Sequence, residues 1–83
     1  MKYLYDVFVY SNEKGCSGLD IALAMYRADH PEHIDADEGK KVHAFIVKHY
    51  DALVEAFKVR EREHFDAVIE GIIAAEIAEA EQG

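Results

Sequence analysis

From Glu32 to the C-terminus the sequence contains no proline, and Gly39 and Gly71 are the only glycines before the last residue. A stretch so poor in breakers and so rich in alanine, glutamate and lysine is expected to be mostly helical. As one helix of about 45 residues it would run about 68 Å at ~1.5 Å per residue, too long for a compact chain of this size. It must therefore break or reach out to a partner. The apolar pattern places the break. Val42, Ile46, Tyr50, Leu53 and Phe57 share one face, whereas Phe65, Val68, Ile69, Ile72 and Ile73 share another, displaced by roughly 110° at 100° per residue. The change of face falls across residues 58–64, where Val59 is the only strongly apolar side chain.

Upstream, residues 3–10 read YLYDVFVY, dense in aromatic and β-branched side chains, with the turn formers Ser11, Asn12 and Gly15 behind them. This predicts a β-strand with Tyr3, Tyr5, Val7 and Val9 on one face and Leu4, Asp6, Phe8 and Tyr10 on the other. Ser17 and Asp20 have capping-box spacing, so a helix is expected from Gly18, and Pro31 disfavours helical geometry at His30 and should end that helix near Asp29. Asp35 and Glu38 repeat the capping-box spacing before the long C-terminal half. The expected fold is therefore α+β but predominantly α, one N-terminal strand followed by two or three helices (β-α-α or β-α-α-α) in a single small acidic domain over residues 1–83.

A lone strand leaves its backbone groups unpaired, and no other segment has comparable β character. A chain of 83 residues with one cysteine also lacks an internal disulfide to support its small core. Both considerations point to a homodimer in which Tyr3, Tyr5, Val7 and Val9 pair with a second copy, an arrangement like that of ribbon-helix-helix proteins.

Charge narrows the function classes. Nine Lys and Arg against 17 Asp and Glu give a net charge of −8, which argues against direct nucleic-acid binding and against attachment to an anionic membrane. No apolar run is long enough to span a bilayer and the first residues do not open a signal peptide, so a cytoplasmic protein is expected. The charge lies in blocks. Asp29, Glu32, Asp35, Asp37 and Glu38 form one acidic cluster, and no Lys or Arg follows Arg62, beyond which lie Glu63, Asp66, Glu70, Glu76, Glu79 and Glu81. Anionic side chains at a helix C-terminus oppose the macrodipole by about 0.3–1 kcal/mol each, so helix stability does not explain Glu76, Glu79 and Glu81.

Chemistry-bearing motifs are sparse. Cys16 precedes a helix start, where a thiolate is favoured, but no flanking pattern marks a nucleophile. His43 and His49 flank the apolar face of a helix without a serine elbow, a glycine-rich phosphate loop or a spaced cysteine pair nearby. No catalytic residue is assigned and an enzyme is not expected. His30 and His33 among Glu32, Asp35, Asp37 and Glu38, and the Glu61-x-x-His64 pair, have metal-ligating residue types, but spacing alone does not make them converge. No metal ligand and no cofactor are assigned. The sequence thus points to a small regulatory or inhibitory protein, of the size common among phage- and plasmid-borne regulators. Glu70, Glu76, Glu79 and Glu81, then Asp35, Asp37 and Glu38, would bind a basic or neutral protein partner, acting as a nucleic-acid mimic in the sharpest form of the reading. The plainer alternative for such carboxylates is a solvated surface. A ribbon-helix-helix-like transcription regulator or antitoxin and a metal-binding helical protein are the competing readings.

Overall fold

The computed structural model describes the backbone of residues 2–82 and the side chains of residues 2–81. Among the described residues there are five helices and no strand: α1 (Leu4–Lys14), α2 (Leu19–Asp29), α3 (Ala36–Lys48), α4 (Tyr50–Phe57) and α5 (Arg62–Gln82). The fold is all-α. It divides into two compact units, Met1–Tyr50 and Asp51–Gly83.

The N-terminal strand expected from YLYDVFVY is therefore corrected to a helix. Leu4, Val7 and Phe8 fall at i, i+3 and i+4 and are all buried, so one helical face supplies the apolar surface that a strand would have divided between two. A helix also satisfies its backbone internally, whereas a lone strand has to find a partner. Asp6 in the first turn and Lys14 in the last complement the macrodipole, and Gly15 closes the helix in the left-handed region at φ 64°, its N–H donating to the Ser11 carbonyl. Tyr3 lies outside this helix as its N-cap, and within it Val7 points to one side and Tyr5 and Val9 to roughly the opposite one at 100° per residue, so the expected pairing face does not exist. The strand-paired homodimer and the ribbon-helix-helix arrangement lose their structural basis with it.

In the first unit α1 and α2 form an antiparallel hairpin. The Tyr10 ring meets the Tyr26 ring edge-on at 5.8 Å, and the Tyr10 hydroxyl donates to Asp29 Oδ2 at 2.7 Å. α2 begins one residue later than the capping-box spacing suggests: Gly18 is the N-cap, in extended geometry, and no side chain caps it. Its end at Asp29 matches the Pro31 signal. α3 starts as expected, with Asp35 Oδ1 accepting from the Glu38 N–H at 2.8 Å. Ala22, Leu23 and Tyr26 from α2, Ile34 from the connection and Val42, Phe45 and Ile46 from α3 complete the core of this unit.

In the second unit Leu53 and Ala56 of α4 are buried, as are Phe65 and Ile69 of α5, and the Phe57 and Phe65 rings meet edge-on at 6.1 Å. The break expected across residues 58–64 is present. Arg60 turns the chain with φ 58°, a left-handed conformation costing a non-glycine residue roughly 1–2 kcal/mol. Its guanidinium lies over the Phe57 ring at 4.7 Å, offsetting part of that cost. A second break, at His49, interrupts the face that Tyr50 was expected to continue, and Tyr50 is exposed.

Candidate functional site

The connection between α2 and α3 brings metal-ligating side chains together. His30 caps the end of α2, with its N–H on the Tyr26 carbonyl at 2.8 Å, and its own carbonyl then accepts from the His33 N–H at 3.0 Å. Residues 30–33 therefore form a hydrogen-bonded turn with Pro31 at its second position, where a φ near −65° is already set by the ring. The first and fourth residues of such a turn lie close, and here both are histidines. Their rings stack at 4.9 Å with planes 8° apart. The Glu32 carboxylate sits between them, Oε1 lying 3.9 Å from His30 Nδ1 and 3.6 Å from His33 Nε2. One ligand atom from each of the three lies within 4.8 Å of those of the other two.

His33 is also held from behind. Its Nδ1 is 2.9 Å from the hydroxyl of the buried Tyr26, and its ring stacks on Tyr3 at 4.2 Å. A groove of about 320 Å³ that includes Tyr3, Glu32, His33, Asp35 and Glu38 runs beside it. Asp35 and Glu38, grouped with the histidines by sequence, do not join the triad: Asp35 caps α3. Asp35, Asp37 and Glu38 all lie at the start of that helix, where the macrodipole favours carboxylates, so local electrostatics account for this acidic cluster. Glu61 and His64 gather no third ligand among the described residues.

The distal acidic residues lie on α5. Glu70, Glu79 and Glu81 are exposed and Glu76 is half-buried. At 100° per residue Glu63, Glu70 and Glu81 fall within about 20° of one another, and Ile77, 55% exposed, lies beside that stripe. Glu79 faces away from it. No residue after Ile69 is buried among the described residues of α5.

The remaining candidates acquire structural surroundings. Cys16 is half-buried with its thiol 3.9 Å from the Met25 sulfur. His49 caps α3 with its ring 4.8 Å from Phe45, and His43 borders a groove with Asp20, Arg27, Gly39 and Lys40. Neither histidine is brought to a nucleophile by these contacts. No helix of the described residues is long and apolar enough to cross a membrane. No family model, curated protein or solved structure matches the chain.

Proposed function

We propose that this is a non-enzymatic regulatory or inhibitory protein that docks on a basic protein surface through α5. One observation carries the reading: exposed Ile77 lies beside the stripe of Glu63, Glu70 and Glu81, on a helix section where no described residue is buried. Carboxylates steer and orient a cationic partner, while the isoleucine supplies apolar area for the contact. The partner is a protein in preference to a nucleic-acid-binding groove normally filled by DNA. Six carboxylates along the roughly 31 Å of α5 give one charge per ~5 Å, against about one per 1.7 Å along duplex DNA. Mimicry of a phosphate backbone would need a denser array.

The test compares three baits in extracts of the source cells: the native chain, a Glu70→Lys/Glu81→Lys double variant, and an Asp37→Lys control. A basic protein held by the native chain and by the control, but bound at least tenfold more weakly by the double variant, is the expected result. Its binding should also weaken steeply as salt rises. Glu81 lies in the last turn of α5, where the macrodipole favours a lysine, and Glu70 is exposed at a position where lysine is a good helix former, so the double variant should keep its helical circular dichroism. Equal retention of the same proteins by all three baits would reject the docking surface.

A further inference from the structure

We propose that the turn at residues 30–33 is a binding site for a divalent transition-metal ion, zinc foremost, with His30, Glu32 and His33 as its protein ligands. Two imidazoles and a carboxylate are a donor set that suits zinc and its neighbours and is poorly matched to calcium or magnesium, which take oxygen ligands. In a tetrahedral zinc site with bonds of about 2.0–2.1 Å, neighbouring ligand atoms stand roughly 3.3 Å apart. The 3.6 Å separation of Glu32 Oε1 from His33 Nε2 is close to that spacing, the 3.9 Å separation from His30 Nδ1 is wider by about 0.6 Å, and all three ligand atoms lie within 4.8 Å of one another, so the ion would draw His30 inward. Little backbone has to move, because the turn is fixed by Pro31 and by the His33 N–H to His30 carbonyl bond.

The surroundings of His33 match what a metal-binding imidazole needs. Such a ring nearly always donates its second N–H to an oxygen, which fixes the tautomer and the orientation of the ring. Tyr26 provides that oxygen at 2.9 Å from Nδ1. With the proton on Nδ1 and donated to the phenolic oxygen, the lone pair of Nε2 faces the Glu32 carboxylate. His30 is the adjustable member. Two imidazoles lying parallel cannot both direct in-plane lone pairs at one ion, so the more exposed His30 ring turns out of its stack on binding. Three protein ligands leave a fourth position for water, and the groove shared by Glu32 and His33 lies alongside.

The experiment titrates the tag-free, metal-stripped chain with Zn²⁺ by calorimetry and with Co²⁺ by its visible spectrum, following the histidine ring nitrogens by NMR. One ion per chain is expected, with the tautomer of His33 locked to the Nδ1–H form and its ring signals and those of His30 shifted together. His30→Ala and Glu32→Gln should each weaken Zn²⁺ binding at least tenfold. Tyr26→Phe, which keeps the buried ring and removes only the hydroxyl, should weaken it roughly tenfold or more. His43→Ala and His64→Ala should leave binding unchanged. The proposal is overturned if Zn²⁺ does not bind, if Glu32→Gln and His30→Ala bind as tightly as the native chain, or if the shifts centre on His43, His49 or His64.

Discussion

Tyr10 ties α1 to α2 through one short hydrogen bond, and that bond makes the contact sensitive to alkali. Its hydroxyl donates to Asp29 at 2.7 Å, and the phenol is pushed from its ordinary value of 10.0 up to about 12, first by this bond, then by desolvation, then by the negative charge of Asp29. The folded state therefore holds the proton more tightly than the unfolded chain. The contribution to stability is complete below pH 10 and is lost as pH rises through about 12. In a spectrophotometric titration the Tyr10 phenol should ionise late, and Tyr10→Phe should remove that late step. The same substitution should flatten the fall in stability between pH 10 and 12; an unchanged late step would exclude Tyr10 as its source. The sequence shows the tyrosine and the aspartate, but only the hairpin geometry shows that they meet.

At the scale of elements, α1 is where reading by residue type failed, and the reason is physical. Strand propensity spans only about 1 kcal/mol and depends on neighbours, so an apolar segment of this length is decided by what it packs against. The helical signals were in the sequence: Leu4, Val7 and Phe8 at helical spacing, Asp6 and Lys14 at opposite ends, and Gly15 as the stop. The expected end of α2 and start of α3, and the break before α5, rest on proline, capping and changes of apolar face, which are local and so legible. The break at His49 has no glycine or proline to announce it. For the metal-ligating turn, the residue types were legible but their convergence was not, because it depends on the turn geometry and on Tyr26 one helix turn away.

The α2–α3 contact makes its own prediction. A Cβ at Gly39 would lie 2.8 Å from Arg27 Nε and 2.9 Å from its Cδ and Cζ, so the bare helix surface is what lets the arginine lie across α3. That Nε is buried without a hydrogen-bond partner, so the fit is one of packing. Alanine is better than glycine inside a helix by about 1 kcal/mol. Gly39→Ala should still destabilise the native chain, because it displaces a partly buried side chain, yet stabilise an Arg27→Ala background by about 1 kcal/mol, close to the propensity difference. Denaturant melts of the four chains measure this coupling. Simple additivity would show that Arg27 moves aside at no cost.

Across the whole molecule, the buried apolar residues are unevenly shared. Among the described residues, ten of the 14 that form the core belong to the first unit and only Leu53, Ala56, Phe65 and Ile69 to the second. Stretches below about 40 residues rarely hold a fold without a metal, a disulfide or a partner. The second unit, Asp51–Gly83, is within that range and contains α5, the helix proposed for docking. Local opening follows the density of buried apolar contacts, so amides of α4 and α5 should exchange faster in native-state hydrogen exchange than those of α1 to α3. A partner that covers the Glu70, Ile77 and Glu81 stripe stabilises the ordered form of α5 by mass action, more strongly as its concentration exceeds its dissociation constant. Once a partner is in hand, its addition should raise protection selectively in α5, and Zn²⁺ should raise it instead around residues 26–35. Protection that rises evenly throughout the chain with either ligand would mean that the two units open as one, and the assignment of docking and metal binding to separate units would then fail.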